Sequence, residues 1–201
     1  INIVIFFNLE KNSNLAWDGL ENCYFKAQSF FYNLNFFDLK NNIGNNNYYP
    51  HFGSFLWGFF WKNSIVQYEY FGRLIGVFVY LLTIFSIFEL IEKKNFIKLI
   101  CLSLVILICY DDFLFRGYQE VFLFSSLILV SKYFYLYFLN KKFEDLCICF
   151  LIVNLIPWIK HEGYLFSIIL TFSFLLMTNR FFRKIEIIIF VLLSWILIVL
   201  K

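Results

Sequence analysis

The side chains able to do chemistry in this chain fall into four groups. Asp18 and Glu21 stand one helical turn apart. Tyr48, Tyr49, Pro50 and His51 run consecutively. Asp111 and Asp112 precede Arg116 and Glu120, the latter pair at i, i+4 spacing. Lys160, His161 and Glu162 follow closely on Pro157. A carboxylate can take up a proton, and a guanidinium or ammonium can hold an anion. Each group also has a plainer reading. Asp111 and Asp112 suit a solvated turn, Arg116 with Glu120 a helix-end ion pair, and Lys160-His161-Glu162 a polar start to a helix. His51 can serve a loop hydrogen bond, and Asp18 with Glu21 an ordinary polar face. None is specific alone, so what matters is where they fall in the pattern of hydropathy.

That pattern is extreme. Of 201 residues, 61% are hydrophobic, 24% aromatic and only 15% charged, with a mean hydropathy of +0.72. A soluble domain is about a quarter charged, and so few charges could not cover this much apolar surface in water. Lipid is the solvent that makes the composition sensible. A net charge of +3 carries no nucleic-acid footprint, and no nucleic-acid partner is expected. Residues 1–70 mix aromatics with Asn, Asp, Glu and Lys, and 41–47 read as a loop. From residue 71 onward, apolar runs alternate with short charged turns.

A membrane-crossing helix needs roughly 20 apolar residues. Six runs are candidates: 72–91, 96–110, 118–139, 143–159, 164–177 and 185–200. They are continuously apolar rather than alternating, so they read as helices and not as a barrel. The first, third and fifth turns between them hold Lys93, Lys94, Lys98, Lys141, Lys142, Arg180, Arg183 and Lys184. The second and fourth hold only Arg116 and Lys160. The positive-inside rule puts the basic turns in the cytoplasm. Region 1–70 and all four polar groups then share the outward side. Ionisable residues in the spans are few, and Glu89 and Lys132 are expected near cytoplasmic ends, where they can snorkel.

Within region 1–70, Leu15, Trp17, Leu20, Tyr24, Ala27 and Phe31 recur at helical spacing, with Asp18, Asn22, Lys26 and Ser29 opposite. This predicts a helix over 15–32 lying in the membrane interface. Residues 52–61 are apolar but too short to cross, and read as a second interfacial or re-entrant helix. The expected fold is thus all-α and integral to the membrane: an outward loop region (1–70) and a bundle of about six transmembrane helices (71–201). The chain starts at Ile1 and ends at Lys201 just after an apolar run, which reads as a piece of a longer protein. Cys101, Cys109, Cys147 and Cys149 lie in apolar runs and read as small buried hydrophobes, with no disulfide assigned.

The order of these pieces resembles the C-type glycosyltransferase superfamily, polytopic enzymes that use lipid-linked sugars. Trp17-Asp18-Gly19 with Lys26-Ala27 resembles the acidic start of the family's first outward loop. Tyr49-Pro50-His51-Phe52-Gly53 with Leu56-Trp57 resembles the segment near that loop's end. Phe71-Gly72-Arg73-Leu74 resembles the entry to the next span. Arg116-Gly117-Tyr118-Gln119-Glu120 resembles the acidic motif opening a later one, often Tyr-Ala-Asp in relatives. Trp158-Ile159-Lys160-His161-Glu162-Gly163 resembles a Thr-Lys-Asn-Glu-Gly-like segment. The chain departs from the pattern where Gly19 replaces the second acid of the first motif and Gln119-Glu120 replaces Ala-Asp.

The resemblance implies a polyprenyl-phosphate sugar as donor and a lipid, glycan or protein as acceptor, with membrane lipid all round. Asp18 would be the general base. Arg116, Lys160 or His161 would neutralise the departing phosphate. Glu120, Glu162 and Asp112 would orient the sugar, with Glu21, Tyr49, His51 and Asp111 completing the substrate-binding set. A divalent cation held by Asp18 and Glu120 is allowed but not required. The expected setting is a bacterial inner membrane with the site facing the periplasm. Two rivals use the same pattern: a transporter or flippase for lipid-linked glycans, and a membrane subunit without chemistry.

Overall fold

The computed structural model describes residues 14–32, 50–90, 95–109 and 116–178. Among these, every regular element is helical. The chain enters helix at Trp17, passes through a π-helical stretch, Gly19–Tyr24, and continues as α1, Phe25–Phe31. Then come α2 (Phe52–Asn63), α3 (Glu69–Phe88), α4 (Asn95–Cys109), α5 (Glu120–Asn140), α6 (Phe143–Ile159) and α7 (Gly163–Thr178). The bounds of α3 to α7 track five of the six apolar runs, while 185–200 lies outside the described residues.

Two helices, α3 and α5, are long and apolar enough to cross a membrane. The 20 residues of α3 rise about 30 Å, the thickness of a bilayer's hydrocarbon core. α4 and α7 contain shorter apolar stretches. Among the described residues, much of this apolar surface has no protein over it. Phe78, Leu82 and Phe85 on α3, and Leu165, Phe172 and Leu176 on α7, are exposed. Acids open the long helices, with Glu69, Glu120, and then Glu144 and Asp145 in the first turns of α3, α5 and α6, where they complement the positive helix end.

The chain forms two compact units, Ile1–Ser125 and Ser126–Lys201. In the first, α1 packs on α2, α2 on α3 and α3 on α4. Glycines allow the close approaches: a Cβ on Gly58 would meet the Ala27 carbonyl and Phe30, and one on Gly72 would meet Trp57 and Trp61. Trp61 stacks with Phe31 at 4.5 Å and Tyr24 at 6.1 Å between ring centroids. Its indole N–H donates 3.0 Å to the Gln67 carbonyl, bracing the turn between α2 and α3.

The helix expected over 15–32 is present, but its buried face differs from the expected one. Gly19, Cys23, Lys26, Ala27 and Phe30 are buried, whereas Trp17, Leu20 and Phe25 are exposed. The buried positions still keep helical spacing, from Gly19 through Cys23 and Ala27 to Phe30, but on the face that packs against α2 and the chain at 116–117; tertiary packing, not the apolar stripe, selects it. Lys26, assigned from its spacing to the polar side, is only 2% exposed.

In the second unit, Phe174 of α7 lies 4.3 Å from Phe134 of α5 and 5.7 Å from Phe150 of α6, measured between ring centroids. The Cys149 thiol donates 3.4 Å to the Val130 carbonyl. Pro157 sits inside the last turns of α6 and has no N–H to offer the Val153 carbonyl four residues back. The Ser167 hydroxyl of α7 donates to that carbonyl at 2.8 Å in its place. Lys141 ends α5 with φ +55°, its N–H bonded 2.8 Å to the Tyr137 carbonyl, a left-handed cap. The Lys132 ammonium lies 5.5 Å from the centroid of the Tyr133 ring. The residue is 8% exposed, a correction to the snorkelling expected of it.

Candidate functional site

The motifs separated in sequence meet around Trp57, which is 2% exposed. Gly19 presses on the chain at 116–117, so that an added Cβ would lie 2.5 Å from the Arg116 carbonyl oxygen. That same carbonyl accepts a 3.0 Å hydrogen bond from the Ala16 N–H. The helix bearing Asp18 is thus docked, backbone against backbone, on the turn bearing Arg116. Gly117 makes this turn possible with φ +84°, a conformation that favours glycine. It also lies beneath the six-membered ring of Trp57, where a Cβ would come within 3.1 Å. From the other side Gly53, just inside α2, admits the Gln119 side-chain amide, which a Cβ would overlap.

The individual side chains are placed as follows. Asp18 is half-buried and its Oδ1 accepts 3.0 Å from Asn22 Nδ2. Glu21, one turn on, is exposed. His51 stands at the N-terminus of α2, half-buried, with its carbonyl bonded 2.8 Å to the Phe55 N–H. Arg116 is half-buried in the turn, and Glu120 is half-buried in the first turn of α5. Asp18, His51, Arg116 and Glu120 therefore belong to segments of one compact unit. Lys160, His161 and Glu162 belong to the other and form the α6–α7 turn. There the Lys160 ammonium lies 3.9 Å from the Glu162 carboxylate, and His161 is exposed. Tyr49, Asp111 and Asp112 lie outside the described residues.

Two residues not singled out for a site by the sequence reading line the same place. Arg73 is 7% exposed and makes a bidentate ion pair with Glu69, its Nε 2.9 Å from Oε1 and its Nη2 2.9 Å from Oε2. Gln119 is 3% exposed, and its Oε1 has no hydrogen-bond partner among the described residues. Gly53, Trp57, Arg73, Gly117, Tyr118 and Gln119 border a cavity of about 20 Å³, room for about one water. The sequence signal for Arg73 is its i, i+4 spacing from Glu69 at the mouth of an apolar helix, where an unpaired charge would be costly.

Behind the cavity, the Cys23 thiol is pushed up to about 11 by burial, against the pull of nearby Ser54, Lys26 and Gln119. It is a buried packing group, not a nucleophile at neutral pH. Among the described residues no group of three His, Cys, Asp or Glu side chains gathers to hold a metal ion. What the arrangement offers is a half-buried carboxylate on a helix, cations on two other segments of the same unit, and a buried amide. No family model, curated protein or solved structure matches this chain.

Proposed function

We propose that this chain is an integral membrane glycosyltransferase that moves a sugar from a polyprenyl-phosphate donor to an acceptor at the outer face of a bacterial inner membrane. The observation that carries this reading is the docking of the Trp17-Asp18-Gly19 segment on the Arg116-Gly117 turn. It brings a helix with a proton-accepting carboxylate beside a segment with a cation. Asp18 acts as general base on the acceptor hydroxyl. Arg116 offsets the charge of the phosphate leaving group. Glu120 and His51 orient the sugar. A divalent ion is compatible with the carboxylates.

The membrane setting is supported by the exposed apolar faces of α3 and α7 and by the lengths of α3 and α5. The cavity of about 20 Å³ has room for a water and not for a sugar, since small-molecule sites run to several hundred Å³. Donor binding must therefore move α2 or the turn at 116–119. The test is sugar transfer from a labelled polyprenyl-phosphate donor in membranes carrying the protein, with Asp18→Asn at matched abundance. A loss of roughly 10²–10⁴-fold is expected of a missing general base. Equal transfer by both would remove Asp18 from the reaction but leave the enzyme. No transfer from any of a panel of donors would sink the transferase reading.

A transporter of lipid-linked glycans is the second reading, because one observation favours it. Lys132 and Asn154 are buried well inside α5 and α6, and ionisable or polar groups at that depth often mark a transport path. Donor translocation across vesicles, abolished by Lys132→Met without loss of transfer, would decide for it.

A further inference from the structure

The turn between α2 and α3 holds two aliphatic side chains out where nothing among the described residues covers them. Ile65 is fully exposed and Val66 is 44% exposed. The turn is nevertheless tightly built. The Ser64 hydroxyl lies 2.7 Å from the Trp61 carbonyl and 2.8 Å from the Val66 carbonyl, and donates its one proton to either. The Tyr68 N–H donates 2.8 Å to the Val66 carbonyl, and Trp61 Nε1 donates 3.0 Å to the Gln67 carbonyl. Local hydrogen bonds thus fix a tip whose side chains gain nothing in water. A fixed, bare aliphatic tip is an arrangement for meeting an apolar surface.

Its neighbours identify the surface. Tyr68 and Tyr70 follow directly, 60% and 42% exposed, with rings stacked at 5.9 Å. Lys62, also exposed, precedes it. The first residue of α3, Glu69, comes two residues after Gln67, and α3 has the length and hydropathy of a span. Exposed tyrosines beside the end of such a helix are the signature of the headgroup layer. A lysine there can reach lipid phosphate while its stem lies on apolar surface.

Resting on the membrane reading above, we propose that the turn at 64–67, with Tyr68 and Tyr70, is a preformed interfacial anchor. It seats Ile65 and Val66 among the lipid headgroups and upper acyl carbons at the outer end of α3. Being braced through Trp61, the anchor fixes the height of α2, and with it the height of Trp57, relative to the lipid.

The test places a photocrosslinking benzophenone amino acid at position 65, and separately at position 78 on the exposed face of α3. The protein is reconstituted in vesicles of phosphatidylcholine and phosphatidylglycerol, and mass spectrometry reads the adducts. Ile65 is fully exposed, so the replacement leaves the fold in place. The expected result is lipid adducts at both positions, with those at 65 on glycerol or upper acyl carbons and those at 78 deeper. Lipid adducts at 78 with none at 65 would overturn the anchor and leave the membrane reading standing. Absence of lipid adducts at both would overturn the two together. An adduct between position 65 and another protein, in native membranes, would overturn the anchor in favour of a protein partner.

Discussion

At the scale of single residues, the Glu69–Arg73 pair makes the sharpest energetic demand. A buried guanidinium and a half-buried carboxylate are withdrawn from most of their water at the mouth of an apolar helix and are held by one 2.9 Å hydrogen bond and a second 2.9 Å charge contact. Removing one partner strands the other. Glu69→Gln is expected to cost about 3–5 kcal/mol, and the double replacement Glu69→Gln with Arg73→Met much less. Thermal unfolding in detergent measures both, and an equal loss in the single and double variants would show that the pair is not what is lost. The pair was legible in the sequence as a spacing, because i, i+4 neighbours on a helix must meet. The contact of Gly19 with the Arg116 carbonyl was not. Each glycine reads as a permissive position, and only the tertiary fold says which backbone comes against it. The role of Gln119 was hidden for the same reason, since its amide lies in space that Gly53 leaves open.

At the scale of elements, apolar runs between polar turns located α3 to α7 to within a few residues, because hydropathy alone decides where such helices begin and end. The orientation of a helix is a finer matter. Over 15–32 the element was right and its buried face was not, since the face that turns inward is set by what packs on it, here α2 and the chain at 116–117. Pro157, within the run 143–159, lies inside α6. What lets it stay is the Ser167 hydroxyl on the Val153 carbonyl, an exchange that single-helix patterns cannot show. Ser167→Ala is expected to destabilise the α6–α7 pair by about 1 kcal/mol. In a Pro157→Ala background the loss should shrink, because the backbone N–H restored at position 157 then serves the carbonyl. A double-mutant cycle measures this, and purely additive costs would count against the account.

At the scale of the whole molecule, two helices meet the length and hydropathy of a membrane crossing, and the sidedness of the rest is carried by charge. The basic turns at 93–98 and 141–142 are expected in the cytoplasm, and those at Arg116 and Lys160 outside. A green fluorescent reporter fused after Lys98 or Lys142 should light, and a periplasmic phosphatase fused after Arg116 or Lys160 should be active. The reverse pattern would invert the topology, and one location for all four would argue that α4, α5 and α6 do not cross. The α6–α7 pair carries a further consequence for how such a chain is made. In lipid, α6 emerging alone would present the Val153 carbonyl with no donor, a cost that an acyl environment cannot relieve. Its missing donor is on α7, only a short turn further along the chain. The translocation machinery would therefore have to hold α6 back until Ser167 has been synthesised, and release the two helices sideways into the bilayer as one hairpin.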